Sequence, residues 1–180
     1  MKSRIIHLFL WIVSVVGIQN SSTAQTSYKD SLLQASRSLT VEIPSSVGYV
    51  NDFEHLFSAA EIDSLTRLIV RLNKELDIQL TVVTLDYTYT NETDFDSYSL
   101  TLANAWGVGD SKKDNGILIA ISKSIRKIRI HNGYGIERIL SDAETSEVVN
   151  QQFIPNFKTG DFFKATNDGI SALGKLIGRR

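Results

Sequence analysis

The stretch Gly116-Ile-Leu-Ile-Ala-Ile-Ser122 is an almost unbroken apolar run, and after a three-residue break Arg126-Lys-Ile-Arg-Ile-His131 alternates charge with isoleucine. A strand that is apolar at consecutive positions needs cover on both faces. The alternating run places Arg126, Ile128 and Ile130 on one side and Lys127, Arg129 and His131 on the other. A break this short between two such runs predicts an antiparallel hairpin. A central strand buried on both sides, in turn, calls for helices on both faces of the sheet.

The flanking sequence supplies them. Upstream, Ile78-Gln-Leu-Thr-Val-Val-Thr-Leu85 reads as a second buried strand. Ahead of it, Ser58-Ala-Ala-Glu61 is a capping box, followed by Ile62, Leu65, Leu68, Ile69, Leu72 and Leu76 at helical spacing. Between the two strands a helix is predicted from Thr93-Asp94, carrying Phe95, Tyr98, Leu102 and Trp106 inward. Downstream, Ser141-Asp-Ala-Glu144 is a second capping box. It opens a helix to about Phe153, stopped by Pro155. A last amphipathic helix runs from about Asp161, with Phe163, Ile170, Leu173 and Ile177 on its buried side. The fold class expected is α/β, a three-layer α/β/α sandwich with a mixed central sheet of about four to five strands.

The N-terminus reads differently. Lys2 and Arg4 precede the apolar run Ile5–Ile18, then Gln19–Thr23, with Ser22-Thr23-Ala24 placing small side chains before Gln25. That order is expected of a cleavable secretory signal over residues 1–24; the run is shorter than the roughly 20 residues of a membrane span. Residues 25–46 are polar and read as a flexible arm, and the α/β domain is expected over 47–180. The expected location is therefore periplasmic or extracellular. Without residues 1–24 the chain keeps 17 of its 19 Lys+Arg and all 20 Asp+Glu, a net charge of −3, which speaks against a nucleic-acid partner. With no cysteine, disulfides, thiol catalysis and lipid attachment through a thiol are excluded, so stability must come from a packed core.

Three loops gather acids and glycines at strand ends: Gly48–Phe53, Trp106–Gly116, and His131–Glu137 followed by Leu140-Ser-Asp142. Each acid alone fits turn chemistry. If the loops meet at one sheet edge, Asp52, Asp114, Glu137 and Asp142 form a carboxylate patch suited to a hard cation such as Ca²⁺ or Mg²⁺. Other chemistries fit poorly. The chain has no phosphate-loop pattern, no Gly-x-Ser-x-Gly elbow, and no paired histidines at zinc spacing. His131 is expected to be solvated, and Lys112-Lys113 to be a solvated loop tip.

Several motifs in order resemble a known family. These are Val50-Asn51-Asp52, Ala105-Trp-Gly-Val-Gly109, Lys113-Asp-Asn-Gly-Ile-Leu118, Gly133-Tyr-Gly-Ile-Glu137, Leu140-Ser-Asp142 and Ile154-Pro-Asn-Phe157 with Gly160-Asp-Phe162. Together they resemble the TPM domain of bacterial secreted or membrane-tethered proteins and of thylakoid-lumen proteins. The resemblance implies an acidic, loop-built divalent-cation site at Asp52, Asp114, Glu137 and Asp142, with Asn115 as an added oxygen donor. It also implies upkeep of membrane or envelope complexes through a protein partner. Its alternative implication is a metal-dependent phosphatase, in which Asp52 or Asp114 would position water. Two departures stand out. Ser141 takes a position where the family often has proline, and the chain stops at Arg179-Arg180 where many bacterial members carry a tail, which argues against membrane tethering.

Overall fold

The structure is a computed structural model that describes residues 43–180. The predicted signal over 1–24 and the arm as far as residue 42 lie outside the described residues. The element order is β1 (Val50–Asp52), α1 (Ala59–Leu76), β2 (Gln79–Thr84), α2 (Phe95–Ala105), β3 (Gly116–Ser122) and β4 (Lys127–Asn132). Then follow α3 (Tyr134–Glu137), α4 (Asp142–Val148), a π-helical turn (Val149–Phe153), α5 (Ile154–Lys158) and α6 (Phe162–Ile177).

The four strands form one open sheet in the order β1-β2-β3-β4. The first three are parallel, and β4 folds back antiparallel on β3. All seven residues of β3 are buried, as a strand covered on both sides requires. Its side chains divide by parity. Ile117, Ile119 and Ile121 join Leu65 and Ile69 of α1 and Ile170 and Leu173 of α6 in one core. Leu118 and Ala120 join Phe95, Tyr98 and Leu102 of α2 in the other. The mixed sheet with helices on both faces is therefore an α/β sandwich of unequal layers.

Both predicted capping boxes are present. Ser58 accepts from the Glu61 N–H while Glu61 accepts from Ser58 N–H at 2.7 Å, and Ser141 and Glu144 repeat the arrangement at the start of α4. The first described residues already belong to this body: Ile43 packs on the α2-side core, and the Trp106 indole N–H donates to the Pro44 carbonyl at 2.7 Å.

One expectation about helices needs correction. Pro155 does not stop the α4 helix. The chain passes through the π-helical turn into α5, where Pro155 occupies the first turn. On α6, Phe163 is half-buried and packs against the core, and the fully buried stripe runs through Ala165, Thr166, Gly169, Ile170, Leu173, Gly174 and Ile177. The segment β1 lies inside the first of the acid-and-glycine loops; at three residues it is too short to display a period in the sequence.

Candidate functional site

A cleft of about 740 Å³ opens at the edge of the sheet where β2 and β3 begin and β4 ends. Its walls come from α2, the loop between α2 and β3, the end of β4, α3 and α4. Asp114, Glu137 and Asp142 all line it, so three of the predicted acids, from separate stretches of chain, share one cavity.

Backbone contacts between the loops set this geometry. Asp110 closes a tight turn: its carboxylate accepts from the Lys112 and Lys113 N–H groups at 2.8 and 3.2 Å. Asp114 sits in the left-handed region at φ 49° and donates its N–H to the Asp110 carbonyl at 2.8 Å. The Asp114 carbonyl then accepts the Gly135 N–H at 2.9 Å, and Gly116 O accepts the Gly133 N–H at 2.9 Å, tying the second loop to the third. Gly135 is required here, because a Cβ would lie 2.0 Å from the Lys113 carbonyl oxygen.

The remaining predicted residues lie elsewhere. Asp52 sits at the opposite edge, paired in register with Thr84, whereas Gly116 is level with Gln79. Five residues of strand separate these levels, about 17 Å at the usual rise. The Asp52 carboxylate accepts from the Leu56 N–H at 3.0 Å, the Phe57 N–H at 2.8 Å and the Thr84 hydroxyl at 2.6 Å. Asn115 is engaged within its turn: its side-chain oxygen accepts from Asp110 N–H at 2.8 Å and its amide donates to the Asp77 carbonyl at 2.6 Å. Lys113 is exposed, as expected of a loop tip, and its ammonium reaches both Asp77 oxygens at 2.8 and 2.6 Å. Among the described residues no three His, Cys, Asp or Glu side chains are grouped closely enough to hold one ion as they stand.

Three cleft residues carry no site role in the sequence: Arg129 reads there as one face of a strand, Asn132 as part of a loop, and Thr145 as helix. The Asn132 amide donates to the Thr145 hydroxyl at 3.0 Å, while its own side-chain oxygen is buried without a partner. A fourth, His131, departs from expectation. The β4 face expected to be solvated is covered by α2. The Ser99 hydroxyl donates to the Asp96 carbonyl at 3.1 Å and so accepts from His131 Nε2–H at 2.8 Å. Burial first, and the charge of Arg129 second, lower His131 from the ordinary 6.5 to about 4, with Asp96 opposing.

A model of the TPM domain matches residues 50–176, more than half of the chain. The chain belongs to the TPM domain family. Among solved structures it is similar to the N-terminal domain of a P. gingivalis protein, at 27% identity and TM-score 0.66, covering 74% of this chain and 84% of that one. The N-terminal domain of a Corynebacterium glutamicum protein shares the fold at 17% identity and TM-score 0.54, covering 74% and 83%. So does the BA42 protein of the psychrophilic bacterium Bizionia argentinensis, at 18% identity and TM-score 0.53, covering 71% and 85%. No curated protein matches the chain. In this TPM domain, Ser141 is the N-cap of α4, its hydroxyl accepting from the Glu144 N–H.

Two expected results follow from this geometry. Asp52→Ala strands the N–H groups of Leu56 and Phe57 and should lower stability by about 1–3 kcal/mol. Thermal unfolding reads that loss. For His131 the folded protein resists protonation while the unfolded chain takes it up near 6.5. Its contribution is thus fully present above pH 6.5 and is lost as pH falls toward about 4. The urea midpoint of the wild type should drop more between pH 7 and pH 4.5 than that of His131→Gln; equal drops would contradict the neutral, Ser99-bonded imidazole.

Proposed function

We propose that this TPM domain is an exported module that binds a divalent cation, Ca²⁺ or Mg²⁺, in the Asp114–Glu137–Asp142 cleft and serves in the upkeep of envelope or membrane complexes. The observation that carries the reading is the shared cleft: three carboxylates from three separate stretches line it, on loops fastened to each other by backbone bonds. The donor chemistry fits a hard cation, which takes carboxylate, amide and carbonyl oxygens. The present spacing leaves the carboxylates apart, so binding must gather them by side-chain rotation, which their exposure permits. The orphaned Asn132 oxygen is a further hard donor in the cleft wall. Export is supported by the charged, apolar and small-residue order of residues 1–24.

A second reading, a metal-dependent phosphatase acting on phosphomonoesters, is favoured by Arg129, whose guanidinium in the same cleft could take a phosphoryl oxygen. Amide NMR of the chain titrated with CaCl₂ and then MgCl₂ tests the first reading. Saturable shifts confined to residues 107–116 and 133–142, and weakened by Glu137→Gln, are expected; silent loops would remove the cation site. Aryl phosphate hydrolysis that is equal for the wild type and Asp114→Ala would dispose of the phosphatase.

A further inference from the structure

Among the described residues no strand pairs with the outer edge of β4, and its hydrogen-bonding parity can be read from its neighbours. The Leu85 N–H bonds to Ile121 O, and the Gly133 N–H to Gly116 O. Along β3, then, odd-numbered residues direct their main-chain groups at β2 and even-numbered residues direct theirs at β4. With Ala120 opposite Arg129 and Leu118 opposite His131, the inward-bonded residues of β4 are Lys127, Arg129 and His131. Ile128, Ile130 and Asn132 therefore point their N–H and C=O groups away from the sheet, and among the described residues no hydrogen bond reaches those groups.

The residues that carry these groups are not fully exposed: Ile130 is 7% exposed, and Ile128 and Asn132 are half-buried. Main-chain groups without a protein partner must be met by water or by another strand. The other sheet edge lacks this character: β1 has three residues, and the Asn51 side chain binds Val47 N–H and Gly48 O beside it.

Three cavities run end to end along β4. The acidic cleft reaches Ile130 and Asn132, a narrow groove of about 220 Å³ against α4 reaches Ile128 and Ile130, and a third cavity of about 720 Å³ begins at Lys127 and Ile128. The third is the charge inverse of the first. Lys123, Arg126, Lys127 and Lys158 line it with the apolar walls of Phe157 and Phe162, and no carboxylate residue lines it. The groove thus runs from basic, where β4 begins, to acidic, where it ends.

We propose that this edge takes an extended peptide segment of a partner protein as a fifth, antiparallel strand. β4 runs from the four cations toward Glu137 and Asp142, so an antiparallel strand brings its carboxyl-terminal half to the cations and its amino-terminal half to the acids. The segment assigned to this edge is accordingly acidic at its carboxyl end, with up to three N–H and three C=O groups of β4 available to it. Addition at an open edge draws affinity from main-chain bonds, and the flanking charge selects the sequence. The main-chain edge is present whether or not the acids hold a cation; Glu137 and Asp142 belong to both readings, and chelator in the test below separates them.

Amide hydrogen exchange of the full chain provides the test. Without ligand, the Ile128, Ile130 and Asn132 amides should exchange much faster than those of Arg129 and His131. The probe is the synthetic peptide Lys-Thr-Val-Thr-Val-Glu-Glu with a free carboxyl terminus, at millimolar concentration and with chelator present. It should protect those three amides saturably. Alternate backbone N-methylation of the probe should abolish the effect, and Lys123→Glu with Lys127→Glu should weaken it about tenfold or more. Protection at other sites only, equal binding of the N-methylated peptide, or no binding would overturn the proposal. Binding of phosphatidylglycerol vesicles without protection of the three amides would make the basic end a membrane-facing patch and would overturn it as well.

Discussion

Phe153→Ala is expected to destabilise the domain by about 3–5 kcal/mol, the range for truncating a fully buried aromatic side chain. Phe153 is 0% exposed, and its ring lies in the π-helical turn, 5.8 Å centroid to centroid from Phe157. The ring fits because α6 carries glycine beneath it: a Cβ on Gly169 would fall 2.1 Å from two ring carbons. The cavity left by alanine cannot close easily, since the π-helical turn is packed against α6 and continuous with α4 and α5. Urea unfolding measures the loss, and a double-variant test isolates the cause. In the wild type, Gly169→Ala should destabilise by forcing the ring aside. In the Phe153→Ala background the same methyl meets open space, and the helix preference for alanine should appear as a gain of about 1 kcal/mol. Gly169→Ala effects of the same sign in both backgrounds would refute this packing account.

Gly135→Ala should open the acidic cleft. Gly135 lies inside α3, where alanine would ordinarily gain up to about 1 kcal/mol over glycine. Against that stands a Cβ placed 2.0 Å from Lys113 O and 2.9 Å from Asp114 O, main-chain atoms that no rotamer change can move. Overpacking of this kind costs about 1–3 kcal/mol and shifts backbone, so the clash prevails. The loop carrying Asp114 must then part from the loop carrying Glu137, and the 2.9 Å bond from Gly135 N–H to Asp114 O goes with it. A lower unfolding midpoint, together with about tenfold weaker Ca²⁺-induced amide shifts, is expected. Raised stability with an unchanged cation response would show that the loops are not held by this contact.

The fold was legible where a residue's own neighbours decide its environment. The run Ile117–Ile121 announced a strand covered on both sides, and both capping boxes fell at true helix starts. Phe95, Tyr98 and Leu102 all turned inward as their spacing required. Legibility failed in short or irregular pieces. The three-residue β1, the four-residue α3 and the π-helical passage before Pro155 are too brief, or too unusual in period, for a pattern to register.

The site shows the same boundary more sharply. The acids of the three loops look equivalent in the sequence, each near a glycine at a strand end. Asp114 precedes β3, Glu137 follows β4, and the antiparallel return brings them to one edge; Asp52 ends β1, which runs parallel to β2 and β3 and so finishes at the other edge. His131 was assigned to the correct face, but that α2 covers this face was not visible. The sequence by itself determined which side of each strand and helix is apolar, because side-chain direction repeats every two or 3.6 residues and is set locally. Only the tertiary structure decided strand order, strand direction and therefore which loops meet, because those follow from hydrogen-bond pairing between segments far apart in the chain.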